Sequence, residues 1–154
     1  MSAPISFFVS GEPKGQPRPR AFARKMGNGK FVARVFDAGT AESWKGAIAA
    51  EAAQHKPAAP ISGPVSLRIH FFMARPKSHF VASKPERGLR NGAPYRHVGK
   101  PDADNLAKAV MDALTQCGWF WADDAQVAVL TVIKSYTEGA TSAGASLTIG
   151  EVTP

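Results

Sequence analysis

Asp102 and Asp104 stand two residues apart in KPDADNLAK, and a second acidic pair, Asp123-Asp124, follows in WADDAQV. Lys108 comes four residues after Asp104 and four before Asp112. Carboxylates brought together raise one another's pKa unless a cation compensates. Magnesium does so, or manganese in its place, taking hard oxygen ligands in an octahedral shell that water and phosphate complete. Such an ion activates water and stabilises charge on a phosphodiester oxygen, and an ammonium beside it adds to that stabilisation. The chemistry these residue types suit is metal-assisted phosphodiester hydrolysis.

Each part also has a plainer reading. Pro101 restricts Lys100 to extended backbone, and if the helix has not begun, residues 102 and 104 point the same way and their carboxylates can converge. Asp104 falls at the N-cap of the following helix, a role worth about 1 kcal/mol. Asp123-Asp124 suits a turn, and Lys108 with Asp112 an i,i+4 pair worth roughly 0.2–0.5 kcal/mol. These readings leave Asp102 without a task. Zinc is a poor alternative: His55, His70, His79 and His97 show no ligand spacing, and Cys117 falls on the apolar face of a helix. His97 sits in a basic segment, where it is either solvated or in reach of a phosphate.

Charge supplies a context. The 154 residues carry a net charge of +7, yet residues 1–100 balance at +12 and residues 101–154 at −5, the latter holding only two Lys or Arg. The N-terminal positives form two runs. Lys14, Arg18, Arg20, Arg24, Lys25, Lys30 and Arg34 follow one another with no acid between them. Arg75, Lys77, Lys84, Arg87, Arg90, Arg96 and Lys100 have only Glu86 among them. Such runs track phosphates and supply most of the affinity for nucleic acid, while the acidic segments would hold metal at one phosphate. A GxxxxGK[ST] loop and a GxSxG elbow are absent from the sequence.

The elements that position these residues follow from periodicity. Residues 5–10 and 65–73 read as strands, the second alternating Val65, Leu67, Ile69 and Phe71 on one face. Residues 22–25 and 31–36 flank Gly27-Asn28-Gly29 as a hairpin. Thr40 is placed to cap a helix running to His55, with Trp44, Ile48 and Ala52 on one face. Residues 105–117 form a second helix, with Leu106, Val110, Ala113, Leu114 and Cys117 as its stripe and Gly118 as its stop. Residues 127–135 and 145–152 close the chain as strands joined by a Gly-containing turn. The expectation is one α+β domain over residues 1–154, a mixed sheet with two main helices and a flexible basic loop at 75–100. No apolar run reaches the length of a membrane helix, no basic leader precedes the short apolar patch at the start, and a single cysteine suits a reducing cytosol.

DADNLAKAVMDALTQCGWFWADDAQV resembles the RusA family of Holliday junction resolvases, many of them phage-encoded. The shared pattern is D-x-D-N-L-x-K-x-x-x-D-A-L, a glycine with aromatics, then D-D-x-Q-V, and PKGQPRPR resembles the family's basic N-terminal segment more loosely. The resemblance implies that Asp102, Asp104 and Asp124 bind magnesium as catalytic acids, with Lys108 the catalytic lysine and Asp123 an adjacent support. Asn105 and Gln126 complete the motif. It implies a homodimer of small α+β domains in the bacterial cytoplasm that makes paired symmetric nicks in four-way DNA junctions during recombination and repair, two cuts calling for two equivalent sites. The long basic segment at 75–100 departs from the family pattern. A non-cleaving nucleic-acid-binding module on the same fold is the alternative, though a pure binder gains nothing from carboxylates beside phosphates.

If the first basic run meets phosphates, neutralising Arg18, Arg20 and Arg24 together weakens DNA binding and flattens the slope of log K against log salt by up to about 3 units. A salt titration of DNA affinity measures this, and a parental slope would remove these arginines from the interface.

Overall fold

The alternation in β4 (Val65–Met73) buries Val65, Leu67, Ile69, Phe71 and Met73 on one face, and the rest of the sheet is assembled around it. On one side lies β6 (Gly144–Glu151), antiparallel; on the other lies β5 (Val127–Tyr136), parallel. Beyond β6 comes β1 (Ile5–Ser10), antiparallel to it, so the order is β1-β6-β4-β5. The structure is a computed structural model. It describes residues 2–16, 41–139 and 142–153 together with the backbone of two strands at 20–25 and 31–36.

Two parallel strands need a long crossover, and α2 (Ala103–Cys117) supplies it between β4 and β5. Leu106, Ala107, Ala109, Val110, Ala113 and Leu114 form its buried stripe. Gly118 ends it in the left-handed conformation, φ 69°, its N–H donating to the Leu114 carbonyl at 3.2 Å. Only a residue without Cβ takes that conformation at no steric cost. Cys117, expected on the stripe, is only partly buried, because the helix turns that position toward its rim; burial still pushes its thiol above the usual range. The first helix, α1 (Glu42–Ala52), continues into a 3₁₀ turn at Ala53–His55 and buries Trp44, Ile48 and Ala52 as their spacing requires. Ala41 occupies its N-cap and offers no side-chain bond; Thr40, the expected cap, lies outside the described residues. The helices pack on each other, and Trp121 and Phe120 join the same core with no exposed surface.

The fold class is α+β as expected, with two amendments. β2 (Arg20–Lys25) and β3 (Phe31–Phe36) pair antiparallel as a separate two-stranded sheet, with Lys25 opposite Phe31 and Arg34 opposite Phe22. The Gly27-Asn28-Gly29 turn lies outside the described residues. A second amendment concerns the last two strands: β5 and β6 are not neighbours, because β6 crosses to the slot between β1 and β4.

The segment after β4, expected as a loop, carries three 3₁₀ turns (Lys77–His79, Val81–Ser83, Pro85–Arg87) around a buried Phe80. Arg75 ties it to the sheet, donating from Nε to the Thr137 carbonyl at 2.7 Å and from Nη1 to the Pro94 carbonyl at 2.8 Å. The segment then returns beside the end of β5. Tyr136 N–H donates to the Tyr95 carbonyl (2.8 Å), and Arg96 bridges to Ser135.

The ring of Phe8 and the Val9 carbonyl lie where a Cβ on Gly144 would go. Gly144→Ala therefore overpacks the β1–β6 contact and should cost about 1–3 kcal/mol. Thermal unfolding should report this as a lower midpoint, by about 2–4 °C for each kcal/mol.

Candidate active site

The start of α2 differs from its expected form. The helix begins at Ala103, two residues early, because Ala is the strongest helix former and lets the first turn extend upstream. Asp102, with φ −72° and ψ 151°, is therefore the N-cap residue, and its carbonyl accepts the Leu106 N–H at 3.0 Å. Asp104 is not the cap but lies in the first helical turn, so the two acids do not alternate along an extended strand. Both stand at the positive end of the helix dipole, which favours carboxylates there. The Asp102 side chain makes no capping bond and instead accepts from Lys100 Nζ at 3.0 Å. Asp104 Oδ1 accepts the Asn105 N–H at 2.8 Å.

Two other elements fix this turn. Lys134 pairs in register with buried Phe71, so it leaves the helix-covered face of the sheet at its edge. Its ammonium donates to the carbonyls of Gly99 and Pro101, both at 2.8 Å, gripping the peptide on either side of Lys100. The N-terminal segment docks on the same turn: Gln16 N–H donates to the Asn105 carbonyl at 2.9 Å. A Cβ at Gly15 would come within 3.1 Å of the Asn105 Cβ and 3.3 Å of the Pro101 Cβ, so glycine permits the close approach. His97 packs edge-on against Tyr136 and is partly buried, not solvated. Burial and then the Lys134 charge hold its pKa below the ordinary value, which keeps it neutral near pH 7.

The second acidic pair is built differently. Asp123 caps a 3₁₀ turn at Asp124–Gln126, its Oδ1 accepting the Ala125 N–H at 2.9 Å. Gln126 closes the box: its Oε1 accepts from Ala122 N (2.8 Å) and Asp123 N (3.2 Å). Its Nε2 donates to the carbonyls of Ile61 (2.8 Å) and Gly63 (3.0 Å), just before β4 begins. This clip is why the motif carries a glutamine three residues after Asp123: one amide satisfies four backbone groups on two chain segments.

The two acidic segments do not meet within one chain. The Asp123-Asp124 turn sits where β4 and β5 start, at the pair Val65–Val127, whereas Lys134 holds the Asp102 turn near their ends. Seven residues of strand separate Val127 from Lys134, about 23 Å at 3.3 Å per residue. The 15-residue α2 spans the same interval, about 22 Å. Among the described residues no three His, Cys, Asp or Glu side chains lie close enough to hold one ion. The parallel pairing puts a helix's length between Asp102 and Asp104 on one side and Asp124 on the other. By donor type they suit magnesium; as a single-chain triad they do not fit one ion.

Lys108 is exposed and pairs with Asp112 at 3.3 Å. Of the basic candidates, Lys14, Lys77, Arg96 and Lys100 are exposed. Arg96 lies over the Tyr95 ring and donates to Ser135 Oγ at 2.7 Å, and Arg75 is engaged in the backbone contacts above. Arg20, Arg24, Lys25 and Arg34 fall on β2 and β3. Arg18 and Lys30 lie outside the described residues. Lys134 was legible but unweighed: it is the second of only two cations in residues 101–154.

Comparison with known proteins gives a match to the family described as Endodeoxyribonuclease RusA over residues 10–143. The chain belongs to the RusA endodeoxyribonuclease family. It is also 39% identical over 134 residues to a Bacillus subtilis (strain 168) protein described as uncharacterized protein YqaN, the match covering 87% of this chain and 89% of that one. The RusA match takes in both acidic segments, Lys108, Lys134 and the N-terminal segment that docks on Asn105. RusA nucleases are in general dependent on a divalent metal. Among the described residues no helix is long and apolar enough to cross a membrane.

Gln126→Ala frees two N–H groups and two carbonyls at a half-exposed site, where water replaces part of what is lost. A cost of about 1–2 kcal/mol is expected, measured by urea denaturation. A stability within 0.3 kcal/mol of the parent, on the order of ordinary surface changes, would mean that the clip does not hold the turn.

Proposed function

We propose that this RusA-family chain is a magnesium-dependent, structure-specific endodeoxyribonuclease that acts as a homodimer on four-way DNA junctions, nicking two strands symmetrically in recombination and repair. Asp102, Asp104 and Asp124 are the metal-binding catalytic acids, Asp123 supports Asp124, and Lys108 is the catalytic lysine. Manganese substitutes for magnesium. The family match carrying both acidic segments in order is the observation on which this reading rests.

The residues around the acids support it. An exposed ion pair contributes about 0–1 kcal/mol, so both Lys100–Asp102 and Lys108–Asp112 yield readily when a phosphate arrives. Lys108 then stands one helical turn beyond Asp104 with its ammonium available to developing charge on the phosphate oxygens. Lys100 moves from a carboxylate to a DNA phosphate, which the basic field of residues 1–100 has already drawn in. Lys14, Lys77 and Arg96 extend that field on the exposed surface, with the cations of β2 and β3 as further phosphate contacts.

The parent should cut a labelled four-way junction in magnesium or manganese, not in EDTA and little in calcium, and should leave linear duplex uncut. Asp104→Asn removes one carboxylate from the first turn of α2, a stability loss of about 0.3–1 kcal/mol. Without metal it should bind the junction as well as the parent or better, having less charge to repel DNA. With magnesium it should lose nicking by about 10²-fold or more. Asp102→Asn and Asp124→Asn should behave alike, and Asp123→Asn more mildly. Parental cutting by Asp104→Asn would sink the site assignment, and cutting in EDTA would sink the metal requirement.

A further inference from the structure

We infer that the outer face of the four-stranded sheet, the one without helices, is a platform for an unpaired stretch of DNA. Aromatic rings hold its bases there by stacking, and two arginines hold its phosphates. This platform is separate from the acids and needs no metal. Both helices pack on the face that buries Leu67, Ile69 and Phe71, so the alternate side chains of β4 point the other way. Among them are Arg68, His70 and Phe72. A run of rings crosses this outer face. His70 and Phe72 stack with centroids 4.1 Å apart and planes 22° from parallel. Phe8 of β1 follows at 6.3 Å from Phe72, tilted by 48°. Gly144 makes the crossing possible: it stands in β6 between the two strands, where any side chain would take the place of the Phe8 ring. Phe8 stays 43% exposed.

Charge enters at the other end of the run. Arg68 is exposed on β4, two residues before His70. Arg96 reaches the same place from beyond β5: its Nη1 donates to Ser135 Oγ at 2.7 Å, and that oxygen lies 2.8 Å from His70 Nε2. Burial first, then the charges of Arg96 and Arg68, hold the His70 pKa below its ordinary value. Near pH 7 it therefore adds a flat neutral ring. The outer-face positions of the four strands carry no Asp or Glu, and a positive face of this kind suits a polyanion. Glu138 lines a cleft beside Phe8 and Phe72, past the end of β5. A carboxylate there repels a phosphate and accepts from the amino group of a base, so bases fall at the rings and backbone at the arginines. Duplex DNA keeps its ring faces inside its own stack, whereas unpaired bases offer theirs to exposed aromatics. A four-stranded sheet bearing such rings holds single strands in this way. A strand laid from Phe8 to Arg96 leads to the edge where Lys134 grips the Asp102 turn. DNA is the occupant because the chain belongs to an endodeoxyribonuclease family.

Fluorescence anisotropy on the full-length chain in EDTA tests this, with a labelled oligothymidylate and a labelled duplex of the same length as probes. Phe8→Leu and Phe72→Leu keep apolar bulk and remove a ring face. Each should weaken oligothymidylate binding about 5-fold or more, and the ratio of single-strand to duplex affinity should fall with it. Arg68→Gln should weaken the same binding and flatten its slope of log K against log salt by about 0.7. Arg68 is exposed, so its replacement reads the face even where a ring variant loses stability. Lowered ratios in the ring variants with a flattened slope in Arg68→Gln support the platform. Parental ratios in both ring variants, with a parental slope in Arg68→Gln, overturn it. Ring variants that change the sedimentation of the protein but not its affinity for oligothymidylate would give the face to a second copy and overturn it too. Tighter binding of oligouridylate than of oligothymidylate would overturn DNA as the occupant. Because no metal is present, none of these outcomes depends on the roles of Asp102, Asp104 and Asp124.

Discussion

Parallel pairing of β4 with β5 is the constraint from which the placement of both acidic segments follows. Two strands running the same way cannot be joined by a tight turn, so the chain between them must travel back the full length of the sheet. The return is α2, packed by its apolar stripe on the face that buries Val65, Leu67, Ile69, Phe71 and Met73. A crossover helix has its start at one end of the strands and its finish at the other. One acidic segment precedes the helix and one follows it, so the same pairing that builds the core sets the two apart.

Much of this was legible in the residues. The stripe of α2, its glycine stop, the alternation of β4 and the helical face of Trp44, Ile48 and Ala52 all reappear in the structure, because each is a local period imposed by one buried surface. The acids were recognisable by type and spacing, and the family by their order. What sequence did not convey was distance. Spacing along a chain says nothing about separation across a sheet until strand order is known, and β6 entering between β1 and β4 has no local signature. The start of α2 was misplaced for a smaller reason: Asp102 and Asp104 are comparable caps, and Ala103 between them decided in favour of the first. Gln126 carried a legible position and an illegible task, since its partners, the carbonyls of Ile61 and Gly63, lie more than sixty residues back.

Electrostatics divides the labour differently from the raw counts. The positive excess of residues 1–100 is not spread evenly over tasks. Arg75 spends its donors on carbonyls, Arg90 Nε binds the Phe80 carbonyl at 2.9 Å, and Arg96 reaches Ser135. These arginines organise the segment that borders the Asp102 turn, where a fork of donors satisfies backbone groups that a loop would otherwise leave to water. The lysines nearby, Lys77, Lys84 and Lys100, stay exposed on flexible stems, which suits contacts made by charge without fixed geometry.

The position of β6 has a consequence for the history of each molecule. Its residues are made after those of β1, β4 and β5, yet they lie between β1 and β4, bonded to both. While the chain is being synthesised, β1 has no neighbour in its sheet and β4 is open on one side. The DxD turn and its helix leave the ribosome before the wall that β6 completes. Closure of the sheet must therefore wait for β6, and this long-range pairing makes folding slow compared with a helical bundle of this size. A chain cut short before residue 144 would hold the whole acidic motif without the strand that joins β1 to β4.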